Sequence, residues 1–334
     1  MKRKREAATR AEQALLAVLP RSVEVRLGAA DDGGDVIVNG RPLQVKWAGE
    51  GQLGDVRRVL AQHIPRPDIV VARVLSPGAR AELAEAGIGW VDETGAAEIA
   101  LDTIIVARSG KPTKREAPRR WTPSALAVAE AALCGVKPTA SAMHDATGLS
   151  MGSCVNALRI LADLELLDAS ADRGRNSARR VGDRDRLLSA YASAAAALAP
   201  DLQVEVGVTW RDLADGLRKT ADRWQAEQVD FAVTGALAAE QLAPYLTTVT
   251  TAEVYVSVET VVGLEALAAS AGFKPVAGGR LILRPFPTMS ANRLATQIGG
   301  LRVAPWPRVY VDLLHGGVRG EDAAEHLKEV VGDR

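Results

Sequence analysis

Two sets of residues in this chain have types and spacings that could do chemistry. The first lies between residues 137 and 181, where Ser150, Ser153, Asn156 and Arg159 recur three residues apart. Asn and Arg carry paired donors and acceptors that can read the edge of a base, and small polar residues beside them leave room for the approach. Arg173, Arg175, Arg179 and Arg180 follow closely, and clustered guanidinium groups suit phosphate oxygens. The second set is Asp35 followed by Gln44-Val45-Lys46. A carboxylate and an amide oxygen could offer hard ligands to Mg²⁺. Strand alternation would place Gln44 and Lys46 on one face.

The first set needs a scaffold, and its neighbours supply one. Thr139 can cap a helix over 140–146, and Gly148 can take the left-handed turn that ends it. Ser150 can cap a second helix reaching about Asp163. Val155, Leu158, Leu161 and Ala162 give that helix an apolar stripe, which leaves Ser153, Asn156 and Arg159 on the opposite face. A basic hairpin follows. Two short helices about a Gly-Leu-Ser turn, then a hairpin, read as a winged helix-turn-helix, a shape that places one helix in the DNA major groove. Asp163, Glu165, Asp168, Asp172 and Asp183 interleave with the arginines and reduce the local charge excess.

Composition bounds the rest. The chain has 334 residues, enough for two or three domains. Lys plus Arg equals Asp plus Glu at 41 each, so any grip on nucleic acid must come from local patches. Hydrophobic residues make up 47% and aromatics 4%, so the cores must be built from Ala, Val and Leu. Cys134 and Cys154 are the only cysteines, and their spacing argues against a zinc site or a disulfide framework. The four histidines, His63, His144, His315 and His326, show no metal spacing. No stretch reaches the length of a membrane span, and the basic N-terminus lacks a signal-peptide core. The chain therefore reads as a soluble cytoplasmic protein.

Elsewhere, helical and strand-like runs alternate. Residues 9–19 suggest an amphipathic helix, and Asn39-Gly40 marks a two-residue hairpin. A helix at about 52–62, a buried strand at 68–74 and a helix at 76–86 capped by Ser76 follow. SGKPTKREAPRRW (109–121) reads as an exposed basic linker, and Thr122 with Pro123 opens the next helix. Beyond Leu187, strands near 230–235, 252–258, 280–286 and 301–306 are separated by helices. These runs predict an α/β (α+β) multidomain protein. The expected divisions are 1–108, the linker 109–121, a winged helix at 122–186 and a C-terminal α/β unit at 187–334. Trp90, Trp210 and Trp224 are expected in cores, and Asp92 and Glu93 as capping or solvated turn residues.

Three resemblances add to this reading. DDGGDVIVNGRPLQVKW, followed by DIVVARVLSPGARAELAEAGIGWVDETG, resembles the restriction-endonuclease-like fold of Mrr-type enzymes over roughly the first hundred residues. In such folds an Asp and a Glu or Gln hold Mg²⁺ while a Lys positions the attacking water, which would assign those roles to Asp35, Gln44 and Lys46, with Glu12 as an added helix carboxylate. The glycine spacing before Asp35 departs from that pattern. The C-terminal unit is faintly similar to a nucleotidyltransferase core, with Thr234-Gly235 ahead of a helix and a strand. That strand, Glu253-Val-Tyr255-Val-Ser257, lacks the paired carboxylates a transferase needs, so no transferase activity is expected. Most of the chain, through the SPGARAELAEAGIGWVDETG segment, the winged helix, FAVTGALAAEQLAPYLTTVTTAEVYV and VYVDLLHGGVRGEDAAEHL, resembles the AbiEi-type antitoxin and transcriptional-regulator family.

That family resemblance implies a repressor or antitoxin that binds inverted repeats in double-stranded DNA. It further implies a nucleotidyltransferase toxin encoded beside it, which many such proteins neutralise without stably binding it; a homodimer, with no cofactor and no membrane, is expected besides. The alternative from the residues themselves is a Mg²⁺-dependent endonuclease that uses Asp35, Gln44 and Lys46 and is guided by the winged helix.

Overall fold

In the computed structural model, the described residues are 2–28, 34–63, 65–101, 104–110, 121–169, 179–198, 202–246 and 248–332. The interior of the expected basic linker, 111–120, lies outside them, as do Arg173 and Arg175. The described residues form a mixed α/β structure in two compact units, one of residues 1–114 with 317–322 and one of residues 115–316 with 323–334.

The first unit runs α1 (Lys2–Val18), β1 (Val25–Leu27), β2 (Val36–Val38), β3 (Arg41–Leu43), β4 (Val45–Trp47), α2 (Leu53–Gln62), β5 (Ile69–Ala72), α3 (Pro77–Glu85), β6 (Gly89–Asp92), β7 (Ala96–Leu101) and β8 (Ile104–Ser109). β1, β2 and β3 form an antiparallel meander. β4, β5 and β6 are parallel, and β7 and β8 extend that sheet antiparallel. The Asn39-Gly40 turn joins β2 to β3 with φ of 49° and 79°, the double left-handed conformation that two-residue hairpins favour. Strand alternation splits the core. Ile69 and Val71 pack with Leu15 and Val18 of α1. Val70 and Ala72 pack with Val56 of α2 and Leu83 of α3 on the opposite face.

Two features of this unit differ from the sequence reading. The hairpin of β7 and β8 carries no turn signal strong enough to be read from the sequence. Asp92, expected as a capping or solvated residue, does cap its turn but as a buried group. Its carboxylate accepts from the backbone of Leu75, Thr94 and Ala96 and pairs with Arg80 at 3.1 Å.

The second unit opens with α4 (Pro123–Leu133), α5 (Ala140–Thr147), α6 (Met151–Asp163), β9 (Asp168–Ala169) and β10 (Arg179–Arg180). It continues with α7 (Arg184–Leu198), β11 (Val204–Gly207), α8 (Leu213–Ala226), β12 (Phe231–Thr234), α9 (Gly235–Leu242), β13 (Ala252–Val256), α10 (Val261–Ser270), β14 (Lys274–Pro275) and β15 (Leu281–Pro285). α11 (Met289–Arg293), β16 (Thr296–Ile298), β17 (Leu301–Val303), α12 (Trp306–Leu313) and α13 (Gly317–Val331) complete the chain, with the first six residues of α13 grouped in the first unit. Seven strands order as β14-β11-β15-β13-β12-β17-β16 in a mixed sheet.

One apolar core runs from Leu133, Leu158 and Leu161 of the helix-turn-helix through Leu187 and Tyr191 of α7 to Val233, Val254 and Val309. The expected boundary at 186/187 therefore falls inside a compact unit and inside α7. No helix of the described residues is long and apolar enough to cross a membrane.

Candidate nucleic-acid interface

The helix pair is built by its caps. The Thr139 hydroxyl accepts from Ala142 N at 3.3 Å, and α5 ends on Gly148 with φ of 72°. The Ser150 hydroxyl accepts from Ser153 N at 3.2 Å and starts α6. Between them the turn is tied down. Thr147 Oγ1 donates to Met143 O, Leu149 N donates to Thr147 Oγ1, and His144 Nδ1 lies 2.6 Å from Leu149 O.

On α6 the inward stripe is Cys154, Ala157, Leu158 and Leu161. Val155, expected in that stripe, is instead 52% exposed. Leu158 and Leu161 point inward as expected, with Cys154 and Ala157 taking the places expected of Val155 and Ala162. The outward face therefore carries Met151, Val155, Asn156 and Arg159. Arg159 Nη2 donates to Asn156 Oδ1 at 2.8 Å. That bond orients the guanidinium and leaves its other N–H groups, with the Asn156 amide nitrogen, for further partners. Ser150 and Ser153 are engaged with each other, Oγ to Oγ at 3.0 Å, and act first as the cap.

β9 and β10 pair antiparallel, with Arg179 opposite Ala169 and Arg180 opposite Asp168. Arg180 is exposed and Arg179 half-buried. Neighbouring cations are spent inside the fold. Arg184 donates to Leu133 O at 2.6 Å and lies 5.6 Å over the Trp306 ring, and Arg186 donates to Leu164 O.

Two buried polar networks lie behind this surface, and sequence reading missed both. Glu130 of α4 is fully buried. Tyr191 OH donates to its Oε2 at 2.5 Å and Ser290 Oγ to its Oε1 at 2.8 Å. Burial pushes this carboxyl above its usual range, against the two hydrogen bonds. Arg308 and Asp312, four apart on α12, form a buried ion pair at 2.5 Å. Thr234 Oγ1 and Tyr255 OH also donate to Asp312. Burial alone would raise the Asp312 carboxyl, but the Arg308 charge and these hydrogen bonds hold it below its usual range. A lone Glu in ALAVAEAAL and a charged pair in the apolar run WPRVYVDLL were the available signals.

The transferase-like positions are occupied differently from a transferase. Glu253 stands opposite Thr234 and pairs with Arg284 at 2.9 Å, while Tyr255 faces Asp312. Gly235 has φ of 62°, and a Cβ there would meet Glu253 Oε1 at 2.6 Å, so glycine serves a close approach.

In the first unit the chain brings Asp35, Gln44 and Lys46 together. Lys46 Nζ donates to Asp35 Oδ2 at 2.6 Å and to Gln44 Oε1 at 3.3 Å. Gln44 sits where one extended segment leaves β2, at β3, and joins β5, at β4. One carboxylate and one amide oxygen, both already bound by an ammonium group, make a sparse donor set for Mg²⁺. Among the described residues no group of three or more His, Cys, Asp and Glu could hold a metal.

No curated protein and no solved structure matches the chain. Residues 180–332 match the family model described as transcriptional regulator, AbiEi antitoxin, type IV TA system. From the second strand of the hairpin to the last helix, this part of the chain is thus similar to the AbiEi antitoxin family of transcriptional regulators.

Proposed function

We propose that this protein is a DNA-binding transcriptional regulator of the antitoxin type, which reads its target with α6 and holds the DNA backbone with the β9–β10 wing. One observation carries the reading. The Asn156–Arg159 pair lies on an exposed face of α6, with the turn at Gly148 just before the helix and the Arg179-Arg180 strand of the hairpin following it in the chain. Val155 and Met151 on the same face suit contact with a thymine methyl group. The family match supports a toxin partner. A nucleotidyltransferase as that toxin, and action as a homodimer on inverted repeats, belong to the same proposal.

The test is binding to duplex DNA from upstream of the gene. Arg159→Ala should lower specific affinity by about 1–3 kcal/mol and relax base preference, with unrelated DNA bound as before. If neither affinity nor preference moved, α6 would not be the reading helix.

The convergence of Asp35, Gln44 and Lys46 supports a second reading, a Mg²⁺-dependent endonuclease. It requires nicking of supercoiled DNA that depends on Mg²⁺ or Mn²⁺ and that Lys46→Ala abolishes. The sparse donor set favours no cleavage with either metal, a result that would leave the trio as a structural ion pair.

A further inference from the structure

α11 links the C-terminal sheet to the helix-turn-helix. Thr288 caps it by accepting from Ala291 N at 3.2 Å, and Ser290 and Ala291 are fully buried. Ser290 Oγ donates to Glu130 of α4, which Tyr191 holds from the other side. The far end is fixed as well. Arg302 donates to Asn292 O at 2.6 Å and to Phe231 O at 3.1 Å, and the Asn292 amide donates to Asp230. A helix of five residues held at both ends places its last side chain with little freedom.

That last residue is Arg293, which is exposed. It lies over the turn between α5 and α6. A Cβ at Gly148 would stand 2.7 Å from Arg293 Nη1 and 3.1 Å from its Cδ and Cζ. Gly148 is thus required twice, for its positive φ and for this close approach. Among the described residues Arg293 has no carboxylate partner, whereas Arg184, Arg186, Arg302 and Arg308 are all taken up inside the fold. An exposed guanidinium without a carboxylate partner, placed beside the start of a reading helix, does nothing for the core. It suits a phosphodiester oxygen of the duplex in which that helix lies.

We infer that Arg293 is a DNA-backbone contact, so that the C-terminal unit takes part directly in the DNA interface. The inference rests on the reading of α6 as the recognition helix. A phosphate contact carries no sequence information, so its loss should weaken all duplexes alike.

The experiment uses the full chain and two labelled duplexes of about 30 base pairs, roughly three helical turns. One is taken from upstream of the gene and one is unrelated. Both are titrated between about 50 and 200 mM salt. Arg293→Ala should weaken binding to both duplexes by a similar factor, roughly three- to tenfold, and make the slope of log K against log salt shallower by about 0.9. Arg293→Lys should keep most of the slope, because the charge remains. The side chain is exposed, so the thermal midpoint should stay near that of the unaltered protein, and this controls for folding. If Arg293→Ala leaves affinity and slope unchanged while Arg159→Ala weakens binding to the upstream duplex, the inference fails and the reading of α6 stands. If the unaltered protein shows no salt-dependent binding to either duplex, both fail.

Discussion

Glu130 and Asp312 are two buried carboxyl groups displaced in opposite directions. Asp312 has a guanidinium partner and two hydroxyl donors, so its ionised form is the stable one in the fold. Glu130 has two neutral donors and no ion pair, and desolvation outweighs them together with the charge of Arg308, which Asp312 opposes. The pH consequences are opposite. For Asp312 the unfolded chain binds the proton more readily, so its stabilisation is present above the unfolded value of 3.8 and is lost as pH falls through the lower folded one. For Glu130 the folded chain keeps a proton that the unfolded chain releases above 4.5. Stability therefore falls as pH rises from there to the raised folded value. Well above 3.8 the Asp312 contribution is constant, and the decline there belongs to the carboxyls raised by burial, Glu130 and Glu253, which substitution at Glu130 separates. Glu130→Gln should reduce the decline of the thermal midpoint as pH rises above 4.5. It should also cost about 1–3 kcal/mol at the acidic end, because one amide oxygen replaces two acceptors. A decline as steep in the variant as in the unaltered protein would show that Glu130 is ionised in the fold.

At the scale of elements, what the sequence disclosed depended on local chemistry. Thr122-Pro123, Ser76-Pro77, Thr139 and Ser150 mark helix starts by side chains that must satisfy free backbone N–H groups, and each of them caps the expected helix. Asn39-Gly40 declares its hairpin for the same reason, since few residues tolerate that backbone. The burial of Cys154 and Ala157 in place of Val155 and Ala162 was not legible. Cys154 and Ala157 are small, Val155 is the more apolar choice, and only the close approach of α4 decides between them. α11 escaped notice because five residues hold no periodicity, and its position is set by Glu130, 160 residues away. Asp35, Gln44 and Lys46 were legible as a trio because strand alternation and one hairpin bring them together. Whether they hold a metal was not, since that depends on donors from elsewhere in the sheet.

At the scale of the whole molecule, neutrality sets how DNA must be held. With 41 cationic and 41 anionic residues there is no general attraction to a polyanion, and affinity has to come from a few placed arginines. Arg173, Arg175, Arg179 and Arg180 from the wing and Arg293 from α11 are the candidates for phosphates, while Arg159 is assigned to bases. Each neutralised phosphate contributes about 0.9 to the slope of log K against log salt. Four or five contacts per protomer then predict a slope of about −4 on unrelated DNA, a loss of roughly 10²- to 10³-fold between about 50 and 200 mM salt. A homodimer gripping two half-sites would double that slope on its target, because both wings engage at once. A steeper slope on unrelated DNA than five contacts allow would mean that the basic residues of 109–121 also reach the backbone. A slope near zero on every duplex would leave the exposed α6 face as a surface for protein, where apolar Met151 and Val155 rather than Arg159 would dominate.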